Sequence, residues 1–319
     1  MEDNQTIDRT LFDALAGRLS GELYYDASPE HVAVKMAYST DASVYQEAPA
    51  AVAIPRNEAD LSELVKFCRT HKLPMIPRTA GTSLAGQVVG TGLVIDMSRH
   101  LNKLIEVNKE EKWARVQPGL ERDVLNELLL PYGLFFGPET STSNRAMIGG
   151  MIGNNSCGLH SMVWGAARDH VLELKVILAN GDTAEIKALD DQAYEAKRSL
   201  PGLEGDIYRS IHQLLSDPAN QQAIRDGYPQ PSVKRRNSGY ALDALLDTTP
   251  YGGSSSFNLC RLITGSEGTL ALVTEAKINL LDLPPREKGL VCVHCGSLRE
   301  ALLANLVALR HNVMASELV

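Results

Sequence analysis

Three stretches of this sequence combine glycine, hydroxyl and amide residues at spacings suited to holding a phosphorylated, ring-bearing molecule. The first is Pro77-Arg78-Thr79-Ala80-Gly81-Thr82-Ser83-Leu84-Ala85-Gly86-Gln87. Glycine lets the backbone turn N–H groups toward an anion, because no Cβ blocks a positive φ or a close approach. Successive N–H groups then form a concave anion site, to which Thr82 and Ser83 add hydroxyl donors. A pyrophosphate is the natural guest. The pattern is neither the P-loop, which needs Gly-Lys-Ser/Thr, nor the Gly-x-Gly-x-x-Gly dinucleotide fingerprint. The second stretch is Ile148-Gly149-Gly150-Met151-Ile152-Gly153-Asn154-Asn155-Ser156-Cys157-Gly158. It reads as a long polar loop that wants special backbone angles and can lie flat along a planar ring. Pro138-Glu139-Thr140-Ser141, just upstream, supplies another turn with exposed donors. The third is Gly265-Ser266-Glu267-Gly268-Thr269-Leu270 running into Val273-Thr274, a glycine turn feeding a strand whose backbone could pair with an adenine edge. Taken singly, these read equally as a glycine turn, a surface Ω-loop and a hairpin.

The elements that must position these bends follow from periodicity. Residues 8–19 have helical spacing, and 21–48 are mixed and turn-rich. In 58–71, Leu61, Leu64, Val65 and Cys68 fall at i, i+3, i+4 and i+7, one buried helix face. Apolar runs at Leu73–Pro77 and Gly92–Asp96 read as strands, Leu104–Val107 and Trp113–Gln117 as a strand pair, and Gly119–Leu130 as a helix. Residues 137–165 show almost no regular period. Val171–Ala179, Asn180-Gly181-Asp182 and Thr183–Ile186 read as a hairpin with a type I′ turn. A helix follows at about 206–216, and 217–258 reads as irregular. Thr269–Leu281 and Val291–Cys295 read as strands, with a helix at Leu298–Leu309. The order gives an α+β (α/β) fold: an N-terminal segment 1–48, a domain 49–282 with subdomains about 49–106 and 113–282, and a short final block from 287.

Composition narrows the partners. The 319 residues carry 31 Lys+Arg against 39 Asp+Glu, a net charge of −8, which argues against broad electrostatic binding to nucleic acid. Aromatic residues are only 5%, too few for base-stacking platforms. No stretch approaches the ~18 apolar residues that span a bilayer. The N-terminus lacks the basic start and apolar core of a secretory signal. Five scattered cysteines suit a reduced, cytoplasmic setting better than a disulfide framework.

Together, in this order, the motifs resemble the FAD-binding domain of the flavoproteins typified by vanillyl-alcohol oxidase and p-cresol methylhydroxylase. Within that group they look closest to FAD-linked D-lactate, glycolate and D-2-hydroxyglutarate dehydrogenases. Further matching pieces are Thr40-Asp41-Ala42-Ser43-Val44-Tyr45, Val116-Gln117-Pro118-Gly119, Gly165 with Arg168-Asp169-His170, and Asn237-Ser238-Gly239-Tyr240. The resemblance implies that Pro77 to Leu84, with Gln87, wrap the FAD pyrophosphate. It sets Pro118, Gly119 and Pro138 to Ser141 beside the isoalloxazine or ribityl chain. Ile148, Gly149, Gly150, Gly153, Asn154, Asn155, Cys157, Gly158 and His160 would run beside the flavin. Glu267, Gly268 and Val273 would sit near the far end, with the two subdomains clamping the cofactor. Relatives that bind flavin covalently use a histidine in the first loop; Thr82 stands there, so non-covalent FAD is expected. Cys157 is expected to be a small packed residue. Arg235 and Arg236 could reach a substrate carboxylate.

The implied reaction is hydride transfer from a 2-hydroxy acid to flavin N5, giving a 2-oxo acid. The acceptor, whether an iron–sulfur domain or a quinone or cytochrome chain, is left open. Catalytic residues are expected in a cap domain, of which 287–319 would be the truncated beginning, so little turnover and an exposed apolar patch are expected. No metal site is expected, and Cys292-Val293-His294-Cys295 is read as structural. A same-fold oxidase using O₂, a UDP-sugar enolpyruvyl reductase and a non-enzymatic flavin-carrying subunit stay open.

Overall fold

The computed structural model describes residues 9–230, 232–233, 235–237 and 239–319. Asp8, which opens the expected first helix, and Ser238 of the Asn237–Tyr240 motif lie outside the described residues.

The N-terminal lobe is built on short, largely apolar strands. It runs α1 (Arg9–Ala16), β1 (Glu22–Tyr24), α2 (Pro29–Ala37), β2 (Ala51–Ile54), α3 (Glu58–His71), β3 (Met75–Arg78) and β4 (Leu93–Asp96). β2 and β4 are buried at every position, as parallel strands covered on both faces must be. The sheet order is β1-β2-β4-β3, with β2, β4 and β3 parallel and β1 antiparallel at the edge. α3 starts where the Asn57 side chain accepts a hydrogen bond from Asp60 N at 3.0 Å, and it buries the four residues that the spacing selects. Within the expected N-terminal segment, Phe12, Leu15 and Leu23 belong to the same core as Leu61, Leu64 and Ile95.

The second lobe comprises β5 (Leu104–Asn108), β6 (Trp113–Val116), α4 (Arg122–Leu129), β7 (Leu134–Phe135), α5 (Ile148–Asn154), α6 (Ser161–Trp164), α7 (Ala167–His170), β8 (Val171–Ile177) and β9 (Thr183–Lys187), followed by α8 (Asp191–Arg198), α9 (Gly202–Ser216), α10 (Pro218–Gly227), α11 (Leu242–Leu246), α12 (Cys260–Ile263), β10 (Leu272–Asn279) and β11 (Leu281–Asp282). Its antiparallel sheet has the order β5-β6-β10-β8-β9. Burial alternates along β10 and β9, one face on the core and one toward solvent. The dividing line expected near 106–113 runs through the β5–β6 hairpin; the change of sheet comes between Asp96 and Leu104.

The lobes share apolar contacts. Ile177 of β8 and Leu272 of β10 sit in the core of the N-terminal lobe. Ser62 Oγ of α3 donates to Gly181 O at 2.7 Å, and Lys175 Nζ pairs with Glu58 at 2.6 Å.

Several expectations are corrected. The β8–β9 turn is not type I′. Gly181 N donates to Leu178 O at 2.8 Å, Asn180 is not at positive φ, and Gly181 is at φ 88°. Only the third loop residue is left-handed, which describes a three-residue loop closed by a glycine bulge. Residues 217–258 are not irregular throughout, since α10 and α11 lie there. Asp190, exposed at the surface, caps α8 by accepting from Ala193 N at 2.8 Å. Among the described residues Val291–Cys295 forms no strand, because nothing pairs with it. The final helix is present as α13 (Leu298–Leu309). Its Leu302, Leu303 and Leu306, with Leu290 and Val291 before it, give this region an exposed apolar surface.

One pH dependence follows from the second sheet. Glu173 on β8 accepts from Arg115 Nη2 and Lys277 Nζ, both at 3.0 Å. Burial tends to raise its pKa, but the hydrogen bonds from Lys277 and Arg115 outweigh it and hold the carboxyl below its ordinary value. A depressed carboxyl stabilises the fold above its unfolded value, and that stability is lost as pH falls through the folded value. Thermal unfolding midpoints should therefore drop in acid, and Glu173→Gln should flatten the slope below the ordinary carboxylate range.

Candidate cofactor site

The glycine-bearing bends meet. After β3 the chain turns at Gly81 (φ 66°) and Gly86 (φ 77°), angles open to glycine at little cost. Among the described residues, none of the backbone N–H groups from Thr79 to Leu84 donates to a protein atom. The second stretch is not a long loop. Ile148–Asn154 is the helix α5, and its glycines adopt no positive φ; only Asn155 does, at 53°. These glycines serve close approach instead. Gly149 N donates to Pro118 O at 2.8 Å, and a Cβ on Gly149 would fall 2.6 Å from Pro118 Cβ. A Cβ on Gly150 would fall 3.0 Å from Thr79 Oγ1, and one on Gly158 only 2.0 Å from Glu139 Cγ. The third bend docks on the same helix: Glu267 N donates to Gly153 O and Gly265 N to Ile152 O, each at 2.9 Å. Gly268 (φ 74°) lies against Pro77, where a Cβ would meet Cγ at 2.5 Å.

Between these bends runs a cleft of about 970 Å³, near the upper end of the roughly 300–1,000 Å³ of small-molecule sites. Its walls include Pro77 to Leu84 and Gln87, Glu139 to Ser141, Gly149, Gly150, Gly153 and Asn154, Cys157 and Gly158, and Glu267, Gly268 and Val273. The other expected site residues stand behind the walls. Pro118 and Gly119 are buried, and Gly119 N donates to Leu101 O at 2.7 Å. Pro138 O accepts from Arg122 Nε at 3.1 Å. Ile148 is core. Asn155 Oδ1 accepts from Arg168 N at 2.9 Å. The His160 ring stacks on Trp164 at 4.3 Å and its Nδ1 lies 2.7 Å from Glu139 Oε1.

Two corrections concern side chains near the walls. Cys157 is not packed away: it lines the cleft, and its Sγ accepts from Arg235 Nε at 3.2 Å. Arg236 is committed to Asp243, whereas Arg235 lines the cleft. Sequence reasoning missed Arg145, a cleft arginine whose polar surroundings gave no signal, and the wall formed by Thr40, Asp41 and Ala42.

The chemistry of the walls suits a dinucleotide. Thr79 to Leu84, which line the cleft, keep their N–H groups unspent, and Thr140 Oγ1 and Asp41 Oδ2, both buried, have no partner among the described residues. Burial raises the Glu267 pKa, offset in part by the hydrogen bond from Asn154 Nδ2 at 3.2 Å.

Residues 49–187 match a family model described as an FAD binding domain. This stretch is an FAD-binding domain. The D-2-hydroxyglutarate dehydrogenase of Escherichia coli (strain K12) is 38% identical over 271 residues, covering 84% of this chain and 26% of that protein. The glycolate oxidase subunit GlcD of Bacillus subtilis (strain 168) is 31% identical over 280 residues, covering 87% of this chain and 46% of that protein. The chain thus spans between a quarter and a half of the length of these relatives. Among solved structures, alkyldihydroxyacetonephosphate synthase superposes with a TM-score of 0.58 at 17% identity, covering 86% of this chain and 40% of that one. That likeness concerns the fold alone, a mixed α+β architecture, of which the matched stretch supplies part of each lobe.

Proposed function

We propose that this chain is the flavin-carrying part of an enzyme that oxidises a 2-hydroxy acid, of the D-lactate, glycolate or D-2-hydroxyglutarate class, to a 2-oxo acid. The observation that carries the reading is the convergence of three separated bends on one cleft whose first wall has uncommitted N–H donors. The names of the relatives supply the substrate class.

In this reading the N–H groups of Thr79 to Ser83, with the Thr82 and Ser83 hydroxyls, hold the diphosphate. Glu139, Thr140 and Ser141 flank the ring or ribityl chain, and Thr140 Oγ1 gains the partner it lacks. Gly149, Gly150, Gly153, Asn154, Cys157 and Gly158 line the long wall. Glu267, Gly268 and Val273 close the far end. Pro118, Gly119, Pro138, Ile148, Asn155 and His160 act from behind, fixing the walls. When bound, FAD supplies the two-electron acceptor for the substrate Cα–H. Arg235 suits the substrate carboxylate, because a guanidinium pairs with it through two hydrogen bonds. The base that takes the hydroxyl proton is assigned to a cap domain, as the family resemblance implies. The electron acceptor is an iron–sulfur domain or a quinone or cytochrome chain. Five free cysteines support a cytoplasmic location, and no helix among the described residues is long and apolar enough to cross a membrane.

The test is direct. The purified protein should show a flavin spectrum, and acid precipitation should leave FAD in the supernatant; colour kept in the pellet would overturn non-covalent binding. With D-lactate or D-2-hydroxyglutarate and a dye acceptor, these 319 residues should turn over little. Robust activity would refute the assignment of the base to a cap.

A further inference from the structure

Residues 38–47 are a motif that the cofactor assignment leaves unused, and all of them precede the matched domain. They fold back on themselves: Thr40 bridges Gln46, and Glu47 N donates to Ser39 O at 2.9 Å. The resulting short loop is fastened to the first glycine bend at both ends. Ala42 N donates to Gly81 O at 3.2 Å. Arg78 Nη1 donates to Thr40 O at 2.7 Å and to Tyr38 O at 3.3 Å. The Tyr45 ring covers Gly86, where a Cβ would fall 2.7 Å from Cδ2.

This fastening changes what Arg78 can do. Its guanidinium lies 5.2 Å from the centre of the Tyr38 ring, and its Nη1 is spent on two backbone carbonyls. Burial lowers its pKa, against the pull of Tyr38, Asp96 and Asp41. Through Nη1 the side chain is therefore a fastener of the loop.

Asp41 is the residue that the loop delivers to the cleft. Its Oδ1 accepts from Ser43 N at 2.8 Å. Its Oδ2 is buried without a partner among the described residues. A buried acceptor left unpaired is costly, and a carboxylate repels phosphate; its complement is a hydroxyl or an amine. A dinucleotide carries both, on its ribose and its adenine.

We propose that residues 38–47 form a clasp on the cofactor cleft, and that the Asp41 carboxylate accepts a hydrogen bond from a hydroxyl or amino donor of the bound dinucleotide. The proposal rests on the FAD assignment and adds a binding residue that lies before the matched domain.

The experiment is FAD titration of deflavinated protein, followed by flavin fluorescence. Asp41→Asn keeps the shape and the turn onto Ser43 and should raise the Kd roughly tenfold or more. Asp41→Ser, which can also close that turn, should show the same loss, and it decides the matter if the first variant does not fold. A Kd within about twofold of the parent's in a folded variant, or tighter binding, overturns the clasp. Wild-type protein that takes up no FAD would instead sink the cofactor assignment, and the clasp with it.

Discussion

Gly149→Val should weaken FAD binding by about 5- to 160-fold while leaving the rest of the second lobe folded. The first carbon of any side chain would lie 2.6 Å from Pro118 Cβ and 3.1 Å from Pro118 O. Pro118 cannot yield, because it is buried and its neighbour Gly119 is packed with a Cβ position only 2.4 Å from Met97 O. α5 must move, and with it the approach of Gly150 to Thr79 and the hydrogen bond from Glu267 N to Gly153 O. Forcing extra bulk into a packed contact costs roughly 1–3 kcal/mol. Spent against binding, that is about 5- to 160-fold in Kd. Gly227→Ala is the comparison: nothing lies within 4 Å of that Cβ position, and FAD affinity should not change. Equal affinity in both variants would mean that the α5–Pro118 contact does not shape the site.

Asp60→Ala should be among the most destabilising single changes outside the cleft. The carboxylate is 3% exposed and accepts from Ser20 N, Gly21 N and Arg56 N at 2.9, 3.0 and 2.9 Å, and from Ser20 Oγ at 2.9 Å. Removing it strands these donors, at roughly 1–3 kcal/mol for each one left without water. Denaturant unfolding should show a loss of about 3 kcal/mol or more. Asp60→Asn, which keeps one oxygen, should recover part of it. A loss under about 1 kcal/mol for the alanine variant would show that water reaches these donors freely.

How far the sequence could be read depended on whether the deciding forces were local. α3 was legible because Leu61, Leu64, Val65 and Cys68 repeat at helical spacing and Asn57 caps the helix. β4 was legible because both its faces are buried and Leu93, Val94 and Ile95 run without a polar break, whereas β1 was lost in the mixed, turn-rich 21–48. α5 was not. Glycine costs about 1 kcal/mol per residue in a helix relative to alanine, so a glycine-rich segment argues for a loop. Docking against Pro118, Thr79 and the Glu267 bend overrides that preference. α10 was not legible either: only Ile224 is buried along it, and so sparse a period reads as irregular. Val291–Cys295 failed in the opposite sense: a β-prone run has nothing to pair with among the described residues.

The cofactor bends were recognised by composition, and the structure brings them together around one cleft. The Thr40–Ala42 wall was not assigned to the site, because only the fold carries Asp41 to the first loop. His160 carried a readable residue type but not its place, since its ring faces Glu139 and Trp164.

Ile177 and Leu272 bear on how the cleft can admit so long a guest. Each leaves the sheet of one lobe to fill the interior of the other. The two halves are welded at their base rather than jointed, so they cannot swing apart like jaws. Entry and escape of the dinucleotide must therefore rely on yielding of the rim, and the width of the groove is fixed before anything enters it.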